Sequence, residues 1–409
     1  MNDPSQSSTP SAEAGGTAPG NAPLDEAGNQ TAPARAPARF KPRSPDRSTD
    51  RSGETGRRAA RPSLVVEDDT IALPDNPVLA RIWRDRAVES QHRGIWCLAD
   101  GSGAVLEGDG AWDHPVYTRS SVKCLQALPL FESGAAERFR LTPTEIALAV
   151  ASHNGEAAHT EPVSALLERL GLGPDDLLCG AQPPGDPTEK EALRAAGARP
   201  STLHNNCSGK HAGFLALAKH LGVPTADYID PDSAGQKLIK QAVIDISGVD
   251  ERQLSVAIDG CSAPTFRMPL AALATAFARV TAPDEDWPTF DVARRAACHN
   301  MLDAVAAHPS MIAGEYKRLC TDIARVTRGR LFPKIGAEGV YAIGVRDRRC
   351  ALAVKIDDGS RRALHAVVLG LLERFELLTK PELAALVHWK NARLTNWAGL
   401  DVGHTEVVV

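Results

Sequence analysis

Residues 119–129, Arg119-Ser120-Ser121-Val122-Lys123-Cys124-Leu125-Gln126-Ala127-Leu128-Pro129, carry the reading on which the fold turns. They predict a short helix over 121–131 with its leucines on one face, and Ser120 stands where the chain runs into it. Lys123 follows one turn later on the same side. A serine hydroxyl is a poor nucleophile until something takes its proton, and a lysine does so when burial and nearby cations depress its pKa. The start of a helix also offers backbone N–H groups to an oxyanion. The neighbouring Ser121 is rotated by ~100° on a helix and faces away from Lys123. Alone, Ser-x-x-Lys reads as a cap and a solvated lysine.

Working outward, strands are predicted over 88–98 and 104–107 around the turn Asp100-Gly101. Thr142-Pro143-Thr144-Glu145 is a capping box with proline at the first helical position, so a helix is predicted from there to Ser152, stopped by Asn154-Gly155. Further helices are predicted over 161–170, 211–221 and 233–247, each ended by a glycine. An apolar strand over 254–259 closes at Gly260-Cys261. A strand over 348–355, a helix over 360–378 and a strand over 406–409 follow. Strands at both ends with helices between them predict an α+β fold whose terminal strands share one sheet. Residues 1–74 differ: rich in Ala, Pro, Gly, Ser and Arg and poor in aliphatic side chains, they cannot bury enough surface to offset chain entropy. They are expected to be a disordered tail, and 75–409 the catalytic domain.

The 409-residue chain is 43% hydrophobic and 24% charged with a formal net charge of -5, which argues against a nucleic-acid or membrane partner. No apolar run approaches the ~20 residues of a membrane span. The opening segment lacks the basic-then-apolar order of a secretory signal, so a cytoplasmic location is expected, with the eight cysteines as reduced thiols.

Two further motifs acquire meaning from their order. Ser152-His153-Asn154 alone is a helix stop, and Lys334-Ile335-Gly336 alone starts a strand with a surface lysine. In sequence, S-x-x-K, then S-x-N about thirty residues on, then K-x-G far downstream is the order of the serine β-lactamase and penicillin-binding superfamily. His153 stands where that superfamily often has aspartate, and Ile335 where it usually has threonine. Cys207, in Asn205-Asn206-Cys207-Ser208-Gly209-Lys210-His211, and Cys261 lie at loop ends where sites are usually built. Two thiolates suit Zn2+ but need a third ligand. His211 is the ordinary candidate, and Lys210 an unusual one because its ammonium must first lose a proton.

Together, Arg119-Ser120-Ser121-Val122-Lys123 with Leu125–Pro129, Ser152–Glu156, Asn205–His211, Asp259-Gly260-Cys261 and Lys334–Gly339 resemble the rhizobial-type L-asparaginase family (asparaginase II, class 3). The resemblance runs from about Leu79 to the C-terminus. It implies a serine β-lactamase/glutaminase-like fold, with a mostly antiparallel sheet and a helical region. It implies two Ser-Lys pairs in one site, Ser120 with Lys123 and Ser152 with Lys334. It places Arg119, Asn154, Asp259 and Glu338 at the substrate, L-asparagine, and a zinc ion on Cys207, Lys210 and Cys261. It implies a homodimer. The competing readings are a cytoplasmic β-lactamase or D,D-peptidase, a non-catalytic zinc-binding scaffold, and a preference for glutamine, since one methylene is worth only ~1–3 kcal/mol in discrimination.

Overall fold

The computed structural model describes residues 74–409 apart from 392; the expected tail, 1–74, lies outside the described residues but for its last residue. Eleven strands form two sheets among the described residues. The larger comprises β1 (Val78–Arg84), β2 (Ala87–Asp100), β3 (Val105–Asp109), β7 (Leu331–Gly336), β8 (Val340–Val345), β9 (Cys350–Ile356), β10 (Arg393–Thr395) and β11 (Asp401–Val407). Their order is β10-β11-β1-β2-β9-β8-β7, with β3 also on β2, and every pairing is antiparallel. The first and last long strands are direct neighbours, Ala80 opposite Val407, as the sequence predicts.

The smaller sheet, β4 (Pro115–Tyr117), β6 (Pro264–Pro269) and β5 (Ser255–Ile258), comes from the middle of the chain, where only one strand is predicted. Helices α1 (Lys123–Glu132), α2 (Ala135–Arg138), α3 (Pro143–Ala149), α4 (Ala157–Arg169), α5 (Pro187–Ala195), α6 (Ser208–Leu221) and α7 (Ala234–Ser247) fill most of that region. Then come α8 (Leu270–Thr281), α9 (Val292–Ala307), α10 (Leu319–Val326), α11 (Arg361–Arg374) and α12 (Lys380–Lys390). Helix α8 packs against β2, β8 and β9, and α11 against β1, β8, β9 and β11. Every residue of β8 is buried, so this strand lacks the alternation that marks a half-exposed one. That explains why sequence periodicity misses β7 and β8.

The capping box at Thr142 and Glu145 is present, its two hydrogen bonds satisfying N–H groups at the start of α3. The helix ends at Ala149, not at Ser152 as predicted; Ser152 then donates its N–H to the Ile312 carbonyl instead of to a helical partner. A β-carbon at Gly209, in α6, would stand 2.3 Å from the Leu148 carbonyl oxygen, so α6 approaches α3 as closely as backbone allows. Gly209→Ala is expected to cost about 1–3 kcal/mol through overpacking, read as a lower urea midpoint at unchanged slope.

Candidate active site

Three segments deliver the central groups. Ser120 lies in a single 3-10 turn, Arg119–Val122, that leads directly into α1. Arg119 holds a left-handed backbone, φ 49°, an uncommon conformation for a side chain of its size and one that concentrates at functional sites. Strand β7 closes on this turn: a β-carbon at Gly336 would meet the Thr118 carbonyl oxygen at 2.6 Å and the Ser121 nitrogen at 3.3 Å. The third segment is the extended stretch after α3. Ser152 is bonded to Ile312 through its N–H and to Arg318 through its carbonyl, and His153 donates its N–H to the Asn206 carbonyl.

The Ser152 hydroxyl lies between two fully buried amines. Lys123 Nζ is 3.0 Å and Lys334 Nζ 2.8 Å from Ser152 Oγ. Lys123 also reaches the carbonyls of Ala151 and, at 3.4 Å, Asn206, while Lys334 reaches that of Ile335 at 3.0 Å. A neutral amine has two N–H donors and one lone pair. With its hydrogens on the Ala151 carbonyl and Ser152 Oγ, a neutral Lys123 keeps its lone pair free, and the Ser152 proton goes to the lone pair of Lys334. Burial, then the charge of Lys123, brings Lys334 down to about 7; burial lowers Lys123 as well. The expected pairing of Ser120 with Lys123 is not a hydrogen bond here. Among the described residues the half-buried Ser120 hydroxyl bonds neither amine, whereas Ser121 spends its hydroxyl on the Thr118 carbonyl at 2.6 Å.

Asp259 and Arg119 meet, Arg119 Nε donating to Asp259 Oδ1 at 2.8 Å. Burial would raise the Asp259 carboxyl, but Lys210, the Gly260 N–H and Arg119 together hold it below its usual value. Glu338 sits on the β7–β8 turn in a left-handed conformation, φ 57°, and lines the same cavity as Arg119. The Asn154 amide donates to the Tyr316 carbonyl at 3.1 Å, tying the Ser152 segment to the loop before α10.

His153 is buried and held neutral by burial and the adjacent His159. The Gly155 N–H donates to its Nδ1, so its proton sits on Nε2 and points to Ser208 Oγ, 3.0 Å away. Arg318 carries no signal in the sequence because it stands outside the three motifs.

Cys207, Lys210 and Cys261 also gather. Lys210 Nζ is 3.2 Å from Cys261 Sγ, and the Cys207 thiol donates to Asn206 Oδ1 at 2.9 Å. The neighbouring Cys261, with Lys123 and Lys210, holds Cys207 well below the ordinary thiol range despite burial; Cys207 and burial push Cys261 up. Burial opposes the Lys210 charge, yet Cys261, Cys207 and Asp259 raise its pKa on balance. His211 is turned away: its Nδ1 shares a 2.6 Å hydrogen bond with the Tyr228 hydroxyl, which also accepts from the Leu178 N–H. Among the described residues no three His, Cys, Asp or Glu side chains converge as a metal site, so any such site here needs the lysine. All eight cysteines are free and buried. No described helix is long and apolar enough to cross a membrane.

This arrangement can be set beside known proteins. The family L-asparaginase II matches residues 80–407, and the chain belongs to that family of hydrolases. No curated protein matches it. Among solved structures, a β-lactamase from Mycobacterium bovis shares 15% identity at a TM-score of 0.37, over 69% of this chain and 94% of the other. Mglu, in its native form in 4.3 M NaCl, shares 15% identity at 0.34, over 69% of this chain and 61% of that one. At such scores these likenesses decide nothing about activity.

Proposed function

We propose that the protein hydrolyses the side-chain amide of L-asparagine to L-aspartate and ammonia through a serine ester. The observation that carries this reading is the Ser152 hydroxyl held between two buried amines, next to a strained turn bearing a second, reachable serine.

Ser120 is the nucleophile in this reading, being half-buried and flanked by the Arg119 strain and by the start of α1. Ser152, 5% exposed, is the relay. Its one proton goes to one amine while the other amine donates to its oxygen, so it can pass a proton between Lys334 and Lys123. Lys123 takes the Ser120 proton, the serine oxygen attacks the carboxamide carbon, and Ser152 passes a proton to the leaving ammonia. Water then cleaves the β-aspartyl ester. Asp259 suits the substrate ammonium, and Arg119 its carboxylate. A second reading, with Ser152 as nucleophile, is favoured by its two amine contacts.

Cys207, Cys261 and a deprotonated Lys210 form a donor set that fits zinc, three protein ligands with a position left for substrate or water. The zinc would supply Lewis-acid polarisation or orientation of a bound group. Metal analysis is expected to find about one zinc per chain, lost in Cys207→Ala and Cys261→Ala. A metal-free wild type overturns that part. A homodimer in the cytoplasm completes the reading.

The experiment is ammonia release from L-asparagine and L-glutamine, with and without chelator. Release from asparagine supports the function; no release from either amide overturns it.

A further inference from the structure

The cavity beside the Ser120 turn is about 440 Å3, within the range of pockets that take ligands larger than one small amino acid. Its floor is one face of the β4–β6–β5 sheet. Arg267 and Thr265 are two residues apart on β6 and so share a face; Tyr117 pairs with Arg267 and Ala257 with Thr265 across the ladder. Arg119 and Glu338 line the same cavity, at the end that adjoins Ser120.

Two groups on this floor have no use within the fold. The Thr265 hydroxyl is 3% exposed and has no hydrogen-bond partner, a costly arrangement for a buried donor. The half-buried Arg267 guanidinium makes neither an ion pair nor a hydrogen bond among the described residues. Beside them on the same face stand Tyr117 and Ala257, and Val116 and Ile258 also line the cavity, so its lining is largely apolar. A ligand that satisfies this surface has an apolar body, a group that can bond a hydroxyl, and an anionic end.

We propose that this floor is a leaving-group subsite, and that the substrates include secondary β-amides of aspartate whose nitrogen carries an apolar group ending in a carboxylate, as in β-aspartyl dipeptides. The proposal rests on the amide-hydrolase reading above and names its substrate class. The chemistry balances without a new reactant. The serine oxygen–carbon bond forms as the carbon–nitrogen bond breaks, the nitrogen leaves with the relayed proton as a free amino acid, and water then splits the ester. The Arg267 guanidinium meets the carboxylate of the departing amino acid, the apolar walls take its side chain, and Thr265 bonds its polar backbone.

The test compares L-asparagine, β-aspartyl-leucine and β-aspartyl-leucinamide on the full chain. Leucine release from the dipeptide is expected, with a KM about tenfold or more below that of the leucinamide, which lacks the charge Arg267 would bind. Arg267→Gln is expected to erase that difference while leaving kcat/KM for asparagine within about twofold, and Thr265→Val to raise the dipeptide KM severalfold. The substrate pair needs no variant, so a misfolded mutant does not blur the result. Asparagine turnover with an inert dipeptide, or equal KM for acid and amide, overturns the subsite. No turnover of asparagine or dipeptide overturns the amide-hydrolase reading itself.

Discussion

Ser152→Ala is expected to lower asparagine turnover by about 10²–10⁴-fold, the range for loss of a positioned proton-transfer group. It should still form a covalent β-aspartyl ester on Ser120. Ser120→Ala should remove both turnover and the ester, leaving Ser152 between its two lysines. Mass spectrometry of acid-quenched enzyme locates the ester. Were Ser152 the nucleophile, the pattern would invert, with the ester found at 152 and abolished by Ser152→Ala. The hydrogen bonds place both amines on Ser152, whereas strain and accessibility favour Ser120. Ester position therefore discriminates where rate alone does not. A Ser120→Ala protein releasing ammonia at wild-type rate ends the proposed mechanism.

The second large effect concerns Lys334, which reaches Ser152 at 2.8 Å. Its amine is needed neutral, and burial with the Lys123 charge brings its pKa to about 7. Facing it are Lys123 from α1, Arg318 and Cys320 from the start of α10, Cys124, and Cys207 before α6. Below pH 7 the amine is protonated and cannot accept, so kcat/KM for asparagine should rise with pH through about 7 with a slope of one. Lys334→Arg keeps a proton at every accessible pH and is expected to lose about 10²–10⁴-fold. An acid limb absent down to pH 5 in the wild type overturns the assignment. The linkage to folding runs the same way. A lysine with depressed folded-state pKa leaves the unfolded chain binding more protons, so stability rises with pH between about 7 and the ordinary lysine value near 10.4.

Much of the site was legible because its chemistry is carried in short segments. The S-x-x-K and K-x-G lysines, Ser152 and the Cys207–Lys210–Cys261 group all converge although they are distant in sequence. What escaped was fixed by tertiary contact. Arg318 acts through a backbone carbonyl, and Asn154 is held by the Tyr316 carbonyl rather than by anything in its own motif. His153 looks like a departure from the motif until Ser208, over fifty positions away, gives it a partner. The capping box gave the start of α3 correctly, but its end was misjudged by three residues, because Ser152 is pulled into register with Ile312. Strands β7 and β8, buried on both faces, offered no alternation to read.

The adjacency of β1 and β11 bears on how the chain is made. On a ribosome, β1 and β2 emerge first, yet β9 follows β2 by 250 residues (350 − 100) and β11 later still. The β1–β2 hairpin must therefore wait with its β9 and β11 edges unpaired until synthesis is nearly over, a state prone to joining the wrong partner. Nascent chains stalled before residue 400 should depend on chaperones, and release of the final strand should close the larger sheet.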